Sequence, residues 1–250
     1  MEHVERMKAE LSALRPLRSE QIALLFPRWE AENSLFVYES NAIEGSTLTL
    51  GETIAVIENG ITIGGKPLRD HLDALNGARA FRSMLVLARA RGSIDLDVIL
   101  NLHRAMVGDV AYAGALRDQA VYIRGSRHVP PNYVKVPSLM EALVKSVNDT
   151  TTYHPVERAA RAHFEMLTIH PFVDGNGRTA RLLQNLLLIA SGYVPILIPA
   201  VERPRYFDVL QQAQTAVPGV GDARDFVAYS VDWEIRETQR YLEVLAPSGD

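Results

Sequence analysis

His170-Pro171-Phe172-Val173-Asp174-Gly175-Asn176-Gly177-Arg178-Thr179-Ala180-Arg181 brings an ionisable base, a carboxylate, two glycines and two arginines into twelve residues. Ahead of it, Val156, Ala159, Ala160, Phe164 and Leu167 recur at helical spacing, which predicts an amphipathic helix ending at His170. Pro171 disfavours helical geometry for the residue before it and helps to end that helix. Beyond the stretch, Ala180, Leu183, Leu187 and Ala190 mark one apolar helix face. Arg178, Arg181 and Asn185 are three and four apart and share a polar stripe. Gly175-Asn176-Gly177 is therefore a tight loop feeding a helix N-terminus, where unpaired N–H groups and the positive end of the helix dipole make an anion site. Two arginines beside it favour a polyphosphate, because guanidinium groups match phosphate geometry bidentately. Asp174 can carry a divalent metal on that phosphate, since Mg2+ takes one or two carboxylates plus phosphate oxygens. His170 lies close enough in sequence to serve as a base on an incoming nucleophile.

Gly175-x-Gly177-x-x-Ala180 also fits the dinucleotide fingerprint, but that fingerprint requires a preceding strand, and a helix pattern precedes it here. The twelve residues instead resemble the signature of the Fic (Fido) family, H-P-F-x-[D/E]-G-N-G-R-x-x-R, with every fixed position matched. The resemblance implies an all-α, Fic-type helical bundle with a short β-hairpin flap. Its implied activity is transfer of AMP from ATP to a Ser, Thr or Tyr hydroxyl of a target protein. On that basis His170 is the base, Asp174 holds Mg2+, and Gly175, Asn176 and Gly177 form the anion hole. Arg178 contacts phosphate, Arg181 grips the terminal phosphates, and Phe172 anchors the loop. Gly177 separates the chain from the related Doc kinase branch, which has Lys there.

A second match lies upstream. Trp29, Phe36 and Ile43 recur every seven residues, which predicts one helix from about Arg28 to Glu44, started by Pro27 and stopped by Gly45. Glu44 is poorly placed as a surface charge, because an anion at a helix C-terminus opposes the dipole. Ser40-Asn41-Ala42-Ile43-Glu44-Gly45 resembles the [S/T]-x-x-x-E-[G/N] inhibitory motif of the same family. Its position implies the class with an N-terminal inhibitory helix, about 28–45, in which Glu44 pairs with Arg181 and bars ATP from its productive pose.

Composition agrees with an ordinary soluble globular chain: 250 residues, 47% hydrophobic, 22% charged, net charge -4. The acidic balance gives no support to direct nucleic-acid binding. The absence of cysteine excludes disulfides and Cys-based zinc sites. The start of the chain lacks a secretion pattern, and the most apolar run, 182–200, contains Gln184, Asn185, Gly192 and two prolines, which argues against a membrane span. The expected compartment is cytoplasmic.

Taken in order, residues 1–25 suggest an N-terminal helix broken near Pro16 and Pro27. Thr49 and Glu52 have capping-box spacing for a short helix ended by Gly60. A long helix from Asp70 to about Arg91 should turn Leu72, Leu75, Ala78, Phe81 and Leu85 inward. Another over 93–108 should be capped by Ser93 or Asp95. His71 and His103, on these helices, read as structural. Val121 and Ile123 alternate with polar residues before a Gly125-Ser126-Arg127-His128 turn, which predicts the hairpin. The resemblance makes 119–137 a flap whose Gly125, Ser126, Arg127, His128 and Val129 face target or nucleotide. Beyond the motif, a helix over Arg205–Gln214 would border the adenine, with Tyr206 for stacking and Gln214 where relatives carry Asn. A last helix runs from Asp222 to Leu245.

These readings give an N-terminal region 1–90 with the inhibitory helix, a core 91–235 with flap and motif, and a helix end and tail 236–250. Three alternatives share the pocket: removal of AMP from a modified protein, transfer of another nucleotide or a phosphocholine, and a non-enzymatic ATP-binding module. Helix faces suit a homodimer, but no seam specifies one.

Overall fold

The computed structural model of the chain describes residues 6, 9–10, 13–217 and 221–245. Every regular element among them is helical, in line with the all-α class expected from the sequence. Much of the expected first helix, at residues 1–5, 7–8 and 11–12, and the tail at 246–250 lie outside the described residues.

Helices α1 (Ser19–Ala31) and α2 (Asn33–Ile43) replace the single helix predicted from Arg28. Pro27 sits inside α1 rather than at a helix start. It forfeits one backbone hydrogen bond. Ile22, Leu25, Phe26 and Trp29, buried at three- and four-residue spacing, keep the turn helical nonetheless. The break falls instead at Glu32, whose carboxylate is held by Arg28 (2.8 Å), Arg240 (3.1 and 3.2 Å) and the Tyr241 hydroxyl (2.6 Å).

The remaining helices are α3 (Leu50–Asn59), α4 (Leu68–Ala90), α5 (Leu96–Val107), α6 (Val136–Asn148), α7 (Pro155–Ile169), α8 (Asn176–Ala190), α9 (Arg203–Thr215) and α10 (Arg224–Leu245). The predicted caps form: Thr49 and Glu52 satisfy each other reciprocally, Gly60 stops α3 with φ +66°, and Asp95 caps α5 through Val98 N–H. On α4 the inward stripe differs from expectation, since Leu72 is 49% exposed. His71 turns inward instead, holding the Ile63 N–H and the Pro67 carbonyl through its two ring nitrogens.

Helix α8 is the centre, packed by α7, α4 and α5. Its apolar residues join the main core, and its polar stripe is buried as well: Arg178, Arg181, Gln184 and Asn185 are each at most 4% exposed. Buried polar groups need partners, so neighbouring elements converge on α8. Asn185, for example, exchanges two hydrogen bonds with the Ile196 backbone. The N-terminus of this helix is where the motif sits. Among the described residues no helix is long and apolar enough to cross a membrane.

The flap corrects an expectation: residues 119–131 contain no strand. Ser126 N–H to Ile123 O (3.1 Å) is a local turn, and no backbone bond joins the two arms. Pro130 and Pro131 have no N–H to offer a ladder, and the arms are held by side chains instead.

Candidate active site

Helix α7 ends at His170, which takes a left-handed conformation (φ +51°, ψ +60°) while its N–H bonds Met166 O at 2.9 Å. A non-glycine residue there stores strain, on the order of 1 kcal/mol, so the surroundings must enforce it. Arg117 does much of that. It is 4% exposed. Its guanidinium donates to the carbonyls of His170 (2.8 Å), Gln119 (2.9 Å), Pro131 (2.6 Å) and Ile169 (3.4 Å). Its own N–H donates to Pro171 O at 2.9 Å. The two roots of the flap and the end of α7 are therefore tied by one side chain.

The loop is closed from within by Asn176, whose amide both accepts from Phe172 N–H and donates to Phe172 O at 2.9 Å. Phe172 is fully buried and stacks on His103 at 3.7 Å. His103 donates through Nε2 to Asp174 O (2.9 Å) and accepts from Gly114 N–H at Nδ1 (3.0 Å), which fixes a neutral tautomer. Burial pushes its pKa down to about 4. Gly175, at φ +78°, has no room for a side chain, because a Cβ would strike Val107. The turn requires glycine for both reasons.

His170 borders a cavity of about 730 Å³ together with Glu44, Gly177, Arg203, Phe207 and Gln214. That volume suits a nucleotide. Burial holds the His170 pKa down at about 4, with Arg117 and His128 adding to the effect. Its Nδ1 makes no geometric hydrogen bond, although the Leu167 carbonyl is near enough to favour the protonated ring. The ring is thus neutral near pH 7 and able to accept a proton.

The two motif arginines are partnered differently. Arg178 pairs with Asp73 of α4 and lies 3.5 Å from Asp174. Burial alone would lower its pKa, but Asp73 and Asp174 more than offset this and keep it charged. Arg181 bonds the Ser40 hydroxyl (2.9 Å), Ser40 O (3.0 Å) and Glu44 Oε1 (2.8 Å), all at the end of α2. Glu44 Oε1 also fills the space a Cβ on Gly177 would need. Gly45 follows at φ +100° and turns the chain away.

Asp174 accepts Gly175 N–H at Oδ1 (2.7 Å) and Arg69 at Oδ2 (2.6 Å). Among the described residues no group of three or more His, Asp or Glu could cage a metal. A single, partly exposed carboxylate beside the N-terminus of α8 fits Mg2+, which keeps waters and takes phosphate oxygens.

The structure sorts the flap and adenine-side expectations. Gly125 and Ser126 line the cavity. Arg127 N–H is tied to Gln211 (2.8 Å), and His128 Nε2 is held by Thr168 O (2.8 Å). Val129 faces outward at 73% exposure. Tyr206 is 1% exposed, holds His163 Nε2 through its hydroxyl (2.9 Å) and also forms part of the cavity wall. The half-buried aromatic ring on the cavity wall is Phe207. Gln214 does reach the wall and donates to Thr168 Oγ1 at 3.4 Å. Sequence reading missed Arg117, Asp73 and Arg69, and it missed the contact of His103 with the loop, because nothing in their local pattern marks a partner 52 to 105 residues away.

Comparison with known proteins agrees with this geometry. Residues 93–188 match the Fic/DOC family. The chain is similar to protein adenylyltransferase fic-1 of Caenorhabditis elegans, 39% identical over 222 residues, covering 86% of this chain and 42% of that protein. It is also similar to protein adenylyltransferase Fic of Drosophila melanogaster, 36% identical over 210 residues, covering 82% and 41%. The chain therefore spans less than half the length of these relatives. Among solved structures, a fragment of C. elegans Fic-1 superposes with TM-score 0.78 at 34% identity, covering 98% of this chain and 72% of the fragment. A Fic domain containing signaling protein from Bacteroides thetaiotaomicron gives 0.78 at 27% identity, covering 96% and 97%.

Proposed function

The chain belongs to the Fic/DOC family, and from that premise we propose that it is a Mg2+-dependent protein adenylyltransferase restrained by its own Glu44. The observation that carries the reading is the seat of Glu44. Its carboxylate lies on Arg181 and against Gly177, so an anion already sits where a helix N-terminus and a buried guanidinium are arranged to receive phosphate.

In the reaction, the hydroxyl oxygen of a target Ser, Thr or Tyr attacks the α-phosphorus of ATP in line. A P–O bond to the protein forms as the bond to pyrophosphate breaks, and the hydroxyl proton passes to neutral His170. A positioned base of this kind contributes about 10² to 10⁴-fold. The N–H groups of Asn176 and Gly177 orient the phosphates and spread their charge, while that of Gly175 is held by Asp174 Oδ1 and shapes the turn. Asp174 would hold Mg2+, which supplies charge neutralisation on the phosphates when bound. For that, Arg69 must leave its place on Oδ2. Arg178, committed to Asp73, adds fixed positive charge, whereas Arg181 is available to the terminal phosphates only once Glu44 withdraws. Phe207 and Gln214 border the base, and the flap receives the target segment.

Wild type, Glu44→Gly and Glu44→Gly/His170→Ala are incubated with α-labelled ATP, Mg2+ and lysate. Strong labelling of protein is expected from Glu44→Gly alone, with at least 10²-fold less from the double variant. Equal labelling by wild type and Glu44→Gly would remove the restraint from the reading. AMP released from a pre-modified protein, without forward labelling, would turn it to the reverse reaction.

A further inference from the structure

A second set of contacts grips the helix that carries Glu44, and it comes from outside the motif. Helix α2 stops at Ile43, so its last four carbonyls have no intrahelical donors. Two are satisfied by the turn itself: Asn41 O accepts from Glu44 N–H (3.1 Å) and Ser46 N–H (3.0 Å), and Ala42 O accepts from Gly45 N–H (3.0 Å). The other two are capped by guanidinium groups. Arg181 takes Ser40 O, and Arg203 takes Ile43 O through Nε at 2.7 Å. One turn back, Glu39 Oε2 accepts Ala200 N–H at 2.6 Å.

Ala200–Glu202 is a single 3-10 turn that leads directly into α9 at Arg203. Ala200 and Arg203 are thus the two ends of one elbow, and both hold α2. Glu39 and Ile43 are four apart and lie on one stripe of α2. Ser40 and Glu44 form the adjacent stripe, held by Arg181. Two cations at the helix C-terminus also oppose the unfavourable field that a glutamate meets there, which accounts for a charge the sequence makes look misplaced. Arg203 is exposed, lies over the Phe207 ring at 4.9 Å and borders the same cavity as Glu44.

We propose that Arg203 is a positioning residue that holds Glu44 in its restraining pose through the Ile43 carbonyl, with Glu39 and the Ala200 N–H as a second tether. The inference rests on the reading of Glu44 as the restraint. The elbow makes α2 answerable to α9, the helix whose residues form the cavity wall, as well as to the motif.

The test compares wild type, Arg203→Ala, Arg203→Lys, Glu44→Gly and Glu44→Gly/Arg203→Ala in the labelling assay, with hydrogen exchange read at the amides of Glu44, Gly45 and Ser46. Arg203→Ala should raise labelling roughly threefold to tenfold, the net worth of one hydrogen bond at an exposed site, and stay below Glu44→Gly. Arg203→Lys, which can still donate, should fall nearer wild type. The double variant should show no labelling beyond that of Glu44→Gly, since the group to be positioned is gone, and exchange at the three amides should quicken in Arg203→Ala. Unchanged labelling and exchange in Arg203→Ala would overturn the inference. So would a raised KM in the double variant, which would make Arg203 a nucleotide ligand. Should Glu44→Gly itself be inactive, the transferase reading fails separately. Faster exchange in Arg203→Ala would then still support the clamp, and unchanged exchange would overturn it.

Discussion

Between Ile169 and Asn176 the motif loop is bonded by side chains from within and from far along the chain: Asn176, His103 and Arg117. Between Gln119 and Pro131, across the same cavity, the flap has one internal backbone turn and a few tethers, at Arg117, Gln211 and Thr168. Tyr122 and Val129 stand 89% and 73% exposed on it. On the proposed reading the loop carries groups that must meet a reacting phosphorus within fractions of an ångström, and its strain at His170 is sustained by redundant bonds. The flap leaves its backbone groups open, as a surface does when a partner chain completes it. The difference separates preorganised chemistry from adaptable recognition, and each side predicts a different response to perturbation.

The largest expected effect is on the loop side, in acid. His103 and His170 both have folded pKa values held down at about 4, below the ordinary 6.5. Both are neutral in folded and unfolded chains above pH 6.5, where their contribution is fully present. As pH falls from 6.5 towards 4 the unfolded chain takes up protons that the fold refuses, so stability is lost across that window. For His103 alone the loss approaches about 3 kcal/mol at pH 4. Urea midpoints measured from pH 7 to 4 should fall, and His103→Asn should flatten that slope; an unchanged slope would mean His103 is not held neutral by the loop. Next in size, Asn176→Ala strands the buried Phe172 N–H and carbonyl. It should cost roughly 2 to 4 kcal/mol and lower labelling in the Glu44→Gly background. A loss of labelling at full stability would show that Asn176 acts on the phosphate rather than on the loop.

This contrast also explains what could be read from the sequence. The motif loop was legible because its own residues make much of its geometry: Gly175 permits the positive φ, Asn176 staples the turn, and Pro171 stops the helix. The caps at Thr49, Gly60 and Asp95 were legible for the same reason, since each acts on residues three or four away. The break at Glu32 was not, because it depends on Arg240 and Tyr241 some 200 residues later. Neither was the burial of the polar stripe of α8, where Asp73, Ser40 and Ile196 each supply a partner from another element. Alternation at Val121 and Ile123 suggested a strand, but alternation describes a segment able to pair, and here Pro130 and Pro131 lack an N–H and no backbone hydrogen bond joins the two arms.

The smallest effect belongs to the flap. Val129 is 73% exposed and belongs to neither hydrophobic cluster, so Val129→Asp should leave stability within about 0.5 kcal/mol of wild type. Recognition should respond all the same. In the Glu44→Gly background, KM for a target protein should rise severalfold while the limiting rate at saturation and KM for ATP stay put, because the chemistry is held by the loop on the other wall. A stability loss above about 1 kcal/mol would mean that Val129 packs in solution and that the flap is finished structure. A fall in the limiting rate with unchanged KM would place the flap in the chemical step, and the division between a rigid wall and an open one would no longer hold.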